Sequence, residues 1–112
     1  MFFDIFKSKP KKYVDLDANA FHEGMKSKDA VIIDVRGGGE FASGKIKGAR
    51  NVDVMGSNFA KKVAGLPKDK QYYLYCRSGN RSGSAAGIMA DQGFEKVHNL
   101  KGGIMNWPYE TA

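Results

Sequence analysis

Between Tyr72 and Met89 the chain reads YYLYCRSGNRSGSAAGIM, and the change of character inside that stretch limits the fold more than any other feature. Tyr72, Tyr73, Leu74 and Tyr75 form an apolar run with the residue types of a buried strand. The run stops at Cys76, the only cysteine in the chain. Arg77, Ser78, Gly79, Asn80, Arg81 and Ser82 follow, all of them small, polar or cationic. Ala85, Ala86, Ile88 and Met89 then restore apolar positions at helical spacing. A strand, a polar turn and a helix in direct succession build an anion site at the carboxyl end of a parallel strand. Here the first position of that turn carries a thiol.

The rest of the chain supplies matching elements. Tyr13, Val14 and Asp15 predict a short strand, and Asp17 caps a helix that carries Ala20, Phe21 and Met25. His22 on that helix has no second ligand in register and is expected to be solvated. Ala30 to Val35 is apolar and β-branched except for Asp34, the pattern of a strand buried on both faces. A carboxylate there needs partners, with Arg36 and nearby backbone as candidates. Gly37 to Gly39 predict a loose turn before Glu40 and Phe41. Ala49 to Val54 contains a further strand, and Ser57 or Asn58 caps a helix ended by Gly65 and Pro67. Gly93 closes the helix after Cys76, Lys96 to Asn99 is a last short strand, and Ile104 and Trp107 cover the sheet. Strands alternating with helices predict an α/β fold, a mostly parallel sheet with helices on both faces.

Composition narrows the function. The 112 residues suit one domain and are enough for a core without staples. With 42% hydrophobic and 27% charged residues, the composition argues against disorder. One cysteine forms no internal disulfide, so the expected compartment is the reducing cytoplasm. The net charge of +6 is read as solubility plus a mild attraction of anions, and no basic strand interleaved with aromatics points to nucleic acid. The opening MFFDIFKSKPKK is too short and too interrupted in its apolar part for a signal peptide. Residues 1–12 are read as a Phe-rich, basic extension that packs on the domain or a neighbour, membrane contact being the weaker alternative. Residues 13–112 are read as the domain.

The turn after Cys76 favours the thiolate, the reactive form of cysteine. Successive N–H groups of a tight loop form a nest for an anion, and the helix that follows points its positive end at the same place. Arg77 and Arg81 add full charges, Gly79 lets the chain bend, and Ser78 and Ser82 are free to donate or cap. An inert buried cysteine needs none of these.

From Tyr13 to Trp107 the chain resembles a single-domain rhodanese of the thiosulfate sulfurtransferase-like type. Asp34-Val35-Arg36, Glu40-Phe41, Gly44-Lys45-Ile46 and Gly48-Ala49 to Asn51-Val52 are similar to the first block of that family. Cys76 to Ser82 matches its active-site loop, and Gly93-Phe94 and Leu100 to Trp107 match its closing block. Lys45 stands where the family commonly has histidine, and the Gly37 to Gly39 run should make its loop mobile. The resemblance implies a three-layer fold and a two-step exchange without metal or organic cofactor. Cys76 would take the sulfane sulfur of thiosulfate or another small anionic donor and hold it as a persulfide. Cyanide, a thiol or a protein would then accept it. Loop N–H groups would stabilise the persulfide, with Arg77 and Arg81 orienting the donor. Ser78, Gly79, Asn80 and Ser82 complete the expected binding loop, and Asp34, Arg36 and Glu40 are expected to buttress it. A persulfide carrier or protein-binding module is the non-enzymatic alternative. Cysteine-dependent phosphatases and arsenate reductases of this fold use C-x5-R; here the arginine comes one residue early and Ser82 takes that position.

Overall fold

The computed structural model describes residues 12–112. The Phe-rich start lies outside the described residues, and with it the reading of that segment. The described elements alternate: β1 (Val14–Leu16), α1 (Ala18–Gly24), β2 (Ala30–Asp34), α2 (Gly38–Ser43), β3 (Arg50–Asn51), α3 (Phe59–Ala64), β4 (Gln71–Tyr75), α4 (Asn80–Asp91) and β5 (Val97–Leu100). A 3-10 turn at Ile104–Asn106 closes the domain. The strands form one sheet in the order β1-β5-β4-β2-β3, and every pairing is parallel. Helices cover both faces, so the expected α/β, three-layer architecture is present.

β4 is the centre of the sheet, hydrogen-bonded to β2 from Ala30↔Gln71 to Asp34↔Tyr75 and to β5 from Tyr72↔Val97 to Leu74↔Asn99. Its side chains alternate between two cores, as a strand must. Tyr72, Leu74 and Cys76 face Ile33, Val35, Phe59, Val63, Met89 and Phe94. Tyr73 and Tyr75 face Phe21, Ile46 and Leu100, with Ile104 and Trp107 packed against that cluster. Tyrosine in so dry a strand needs a polar outlet for each hydroxyl. Tyr72 donates to the Pro67 carbonyl at 2.5 Å, and Tyr75 accepts from the Ile46 N–H at 2.9 Å.

Local chemistry explains the element ends. Asp17 caps α1, its Oδ1 accepting from the Ala20 N–H at 2.9 Å. The expected strand over Ala49 to Val54 is paired only at Arg50–Asn51. Beyond it, single bonds from the Val52 and Val54 N–H groups to the Asp34 and Val35 carbonyls hold the chain without a ladder. Asn58 precedes α3 in a left-handed conformation with φ 68° and gives no side-chain cap, contrary to expectation. His22 is not simply solvated: its ring stacks on Tyr109 at 3.8 Å between centroids. The Gly37 to Gly39 run is not a loose turn either. α2 starts at Gly38, and the Glu40 carboxylate accepts the Gly37 N–H at 3.2 Å. One acidic side chain orders what the three glycines left undetermined.

Gly103 closes the fold over the turn after β4. Its φ of 67° is left-handed, and a Cβ there would sit on the Arg77 carbonyl and the Ser78 nitrogen. Gly103→Ala is expected to lower stability by about 2–4 kcal/mol, since it adds a backbone clash to backbone strain. Gly93→Ala, also at positive φ but with no atom near the new Cβ, should cost only about 1 kcal/mol. Urea unfolding midpoints at constant slope measure both; equal losses would show that the Gly103–Arg77 contact is not tight.

Candidate functional site

Cys76 follows the last residue of β4 and is fully buried. Its Sγ accepts three hydrogen bonds: from the Gly79 N–H at 3.1 Å, the Ser82 hydroxyl at 3.3 Å and the Ser82 N–H at 3.4 Å. Gly79 makes this convergence possible. At φ 105° it turns the chain from strand to helix within three residues, so that the N–H groups point inward to one atom. α4 then begins at Asn80 and directs its positive end at the same sulfur. Burial pushes the Cys76 thiol up. The Ser82 hydroxyl and the N–H groups of Ser82, Gly79 and Ser78 outweigh it and bring the thiol below its ordinary value.

The closing block holds the loop from outside. The Cys76 carbonyl accepts from the Ile104 N–H at 2.9 Å, and the Arg77 carbonyl from the Met105 N–H at 3.1 Å. With both carbonyls tied outward, the N–H groups on the other side of the chain stay turned toward the sulfur.

The charged residues separate into two pairs. Asp34, fully buried, meets Arg36 through Nε at 3.0 Å and Nη2 at 2.6 Å, and accepts the Arg36 N–H at 2.9 Å. Arg36 also donates to the Gly44 carbonyl at 2.6 Å. This pair ties the end of β2 to the loop after α2 and makes no contact with the thiol. Arg81 grips Glu40 with two parallel bonds of 2.9 and 3.1 Å. The Arg81 bonds, then the Gly37 N–H, overcome partial burial and lower Glu40 to about 2. The structure therefore turns Arg81, expected to orient a donor, toward Glu40. Arg77 is exposed and forms no ion pair among the described residues. Ser78 and Asn80 are exposed beside it, at the rim of the turn. Of the expected residues, Cys76, Gly79 and Ser82 meet at one atom, Glu40 reaches the site through Arg81, and Asp34 and Arg36 stand behind it. Sequence reasoning missed Asn99, whose buried side chain reaches the Gly79 carbonyl. Its only trace was an amide beside an apolar strand end. Among the described residues, no group of three or more His, Cys, Asp or Glu side chains is placed to hold a metal.

A buried, hydrogen-bonded sulfur with lowered basicity is equipped for nucleophilic attack on a soft centre and for holding the anion that results. The comparisons agree with this architecture. The family model described as Rhodanese-like domain matches residues 17–110, and the chain belongs to that family. It is 40% identical over 92 residues to the uncharacterized protein YqhL of Bacillus subtilis strain 168, covering 82% of this chain and 70% of that one. It is 37% identical over 94 residues to the thiosulfate sulfurtransferase GlpE of Pseudomonas putida strain GB-1, covering 80% and 84%. A rhodanese-related protein from Thermoplasma volcanium superposes with a TM-score of 0.77 at 29% identity, covering 89% of this chain and 98% of that one.

Two outcomes test the site. Ser82→Ala removes one donor to the sulfur, so the midpoint of Cys76 alkylation by iodoacetamide should move to higher pH; an unmoved midpoint would show that the hydroxyl does not stabilise the thiolate. For Glu40, the folded value of about 2 lies below the ordinary value of 4.5. Its stabilisation is fully present above about pH 4.5 and is lost as pH falls toward about 2. Wild type should therefore exceed Glu40→Gln in urea resistance at neutral pH and converge with it near the acid end. A pH-independent gap would contradict the ion-pair account.

Proposed function

We propose that this domain is a sulfurtransferase that carries sulfane sulfur on Cys76. The observation that carries the reading is the state of the loop: a sulfur held by three hydrogen bonds, with the only arginine near the phosphatase spacing already bound to Glu40. A phosphoryl group needs a guanidinium at C-x5-R to clamp its oxygens. Here Ser82 occupies that position and bonds the nucleophile itself.

In the first step the Cys76 thiolate attacks the outer sulfur of thiosulfate. A new S–S bond forms, the bond between the two donor sulfurs breaks, and its electron pair leaves on sulfite. The enzyme is left as a persulfide carrying one negative charge. In the second step a nucleophile, cyanide or a thiolate of a small molecule or protein, attacks the outer sulfur and leaves with it, and the cysteine thiolate returns. The N–H groups that stabilise the thiolate also serve the persulfide, because they are already oriented before the charge moves outward. The exposed Arg77 supports attraction of an anionic donor. The reading carries with it a reducing compartment, the cytoplasm, where a single thiol stays unpaired. No described helix is long and apolar enough to cross a membrane.

Thiosulfate added to the purified protein should increase its mass by one sulfur atom, located on Cys76, and cyanide should remove it as thiocyanate. Cys76→Ser should show neither adduct nor turnover. A wild-type protein that takes up no sulfur, or that hydrolyses p-nitrophenyl phosphate at an enzymatic rate through Cys76, would overturn the reading.

A further inference from the structure

We propose that Asn99 is a positioning residue for Cys76: its carboxamide, itself oriented by Asp15, holds Gly79 so that the Gly79 N–H stays aimed at the sulfur. The inference rests on the reading that the Cys76 thiolate is the reacting group.

Asn99 lies in β5, in register with Asp15 of β1 on one side and Leu74 of β4 on the other. It is 5% exposed. Its Nδ2 donates to Asp15 Oδ1 at 2.9 Å and to the Gly79 carbonyl at 3.3 Å. Both partners are acceptors only, so the nitrogen and not the oxygen of the amide must face them. Gly79 is thus held from two sides. Its carbonyl is tied to Asn99 and to the Gly83 N–H at 3.0 Å, while its own N–H makes the shortest bond to Sγ, at 3.1 Å.

The cost of this arrangement argues that it does more than fill space. Asn99 Oδ1 is buried with no hydrogen-bond partner among the described residues. An orphaned buried acceptor is destabilising, and an apolar residue of the same shape would avoid it. What the amide supplies in return is direction. Glycine at φ 105° has no side chain to limit its rotation, so its N–H vector is only as fixed as its neighbours make it. A polar cavity of about 430 Å³, lined in part by Asp15, Gly79, Asn99 and Lys101, lies on this side of the loop. Were the amide removed, water in that cavity could satisfy the Gly79 carbonyl but would not hold it.

The charged groups around the thiol do not substitute for this bond. Arg81 is neutralised by Glu40, Asp53 adds a negative charge near Arg81, and Arg77 points to solvent. Charge and position also make opposite predictions at Asp15. Removing a nearby carboxylate charge alone would favour the thiolate, whereas loosening Asn99 would disfavour it.

The test is the pH profile of Cys76 alkylation by iodoacetamide in the full chain, a readout that requires no sulfur transfer. Asn99→Leu should move the midpoint upward and slow alkylation about tenfold at pH values below the wild-type midpoint. The high-pH plateau should be equal or slightly higher, because a more basic thiolate is more nucleophilic. Asp15→Ala should move the midpoint the same way by less. Asp15→Asn, which still offers an acceptor but loses the charge, should stay at the wild-type midpoint or fall slightly below it. A folded Asn99→Leu protein, judged by circular dichroism and its urea midpoint, with an unmoved profile overturns the proposal. So does an Asp15→Ala shift to lower pH, or an Asp15→Asn shift equal to that of Asp15→Ala. If Asn99→Leu does not fold, the exposed Asp15 variants decide alone. A shifted midpoint in a protein that takes no sulfur from thiosulfate would sink the sulfurtransferase reading and leave this one standing.

Discussion

A thiol brought below its ordinary value while shut away from water needs the protein itself as its solvent, and this requirement organises the domain. An uncompensated buried ion is costly enough that the group would otherwise take up a proton. Around Cys76 the compensation comes from hydrogen-bond donors and a helix terminus rather than from a nearby lysine or an unpaired arginine. Donors of this kind have to point, and backbone points only if the chain is held. The closing block ties the carbonyls of Cys76 and Arg77 away from the sulfur, and Gly103 allows the approach that makes those bonds possible. β4 runs through the middle of the sheet, so the residue that follows it is anchored by neighbours on both sides.

The cations of the site are managed by pairing. Glu40 takes both arms of Arg81, and Asp34 takes Arg36. The two pairs differ in character. Asp34–Arg36 is buried, with its remaining capacity met by the Arg36 N–H and the Gly44 carbonyl, and losing one partner would strand a charge. Glu40–Arg81 is partly exposed, and its greater consequence is geometric: it fixes the Gly37 turn and holds Arg81 against Glu40.

Much of this was legible because period and punctuation agree. β4 and α4 declare themselves by an apolar run, a polar turn and an apolar helical face, and Asp17 is a cap in sequence and in structure. The features that escaped depend on contacts between residues distant in sequence. Gly37 to Gly39 look shapeless until Glu40 is seen bridging Gly37 and Arg81, 41 positions further on. His22 looks solvated until Tyr109 brings its ring against it from the other end of the chain. Asn99 was hidden for the same reason. An amide near a strand end is a common turn residue, and only the β1–β5 register shows that Asp15 waits beside it. Asn58 failed in the opposite way, since its type suits both a cap and a left-handed turn, and local sequence does not choose between them.

Loop length joins these observations to chemistry. With one residue more between Cys76 and Arg81, an arginine would stand at the C-x5-R position. At the length present, the position that would bear that guanidinium is Ser82, and its hydroxyl and N–H both turn to the sulfur. The loop therefore has its donors concentrated on the sulfur of Cys76. Such a tight ring tolerates little play. A donor that swings by a few tenths of an ångström loses much of a bond that begins at 3.1 Å, which is why a glycine at the hinge has to be restrained from behind. The Asp15–Asn99 array is built from two strands on the far side of β4 from β2, so the restraint comes from the rigid sheet and not from another loop.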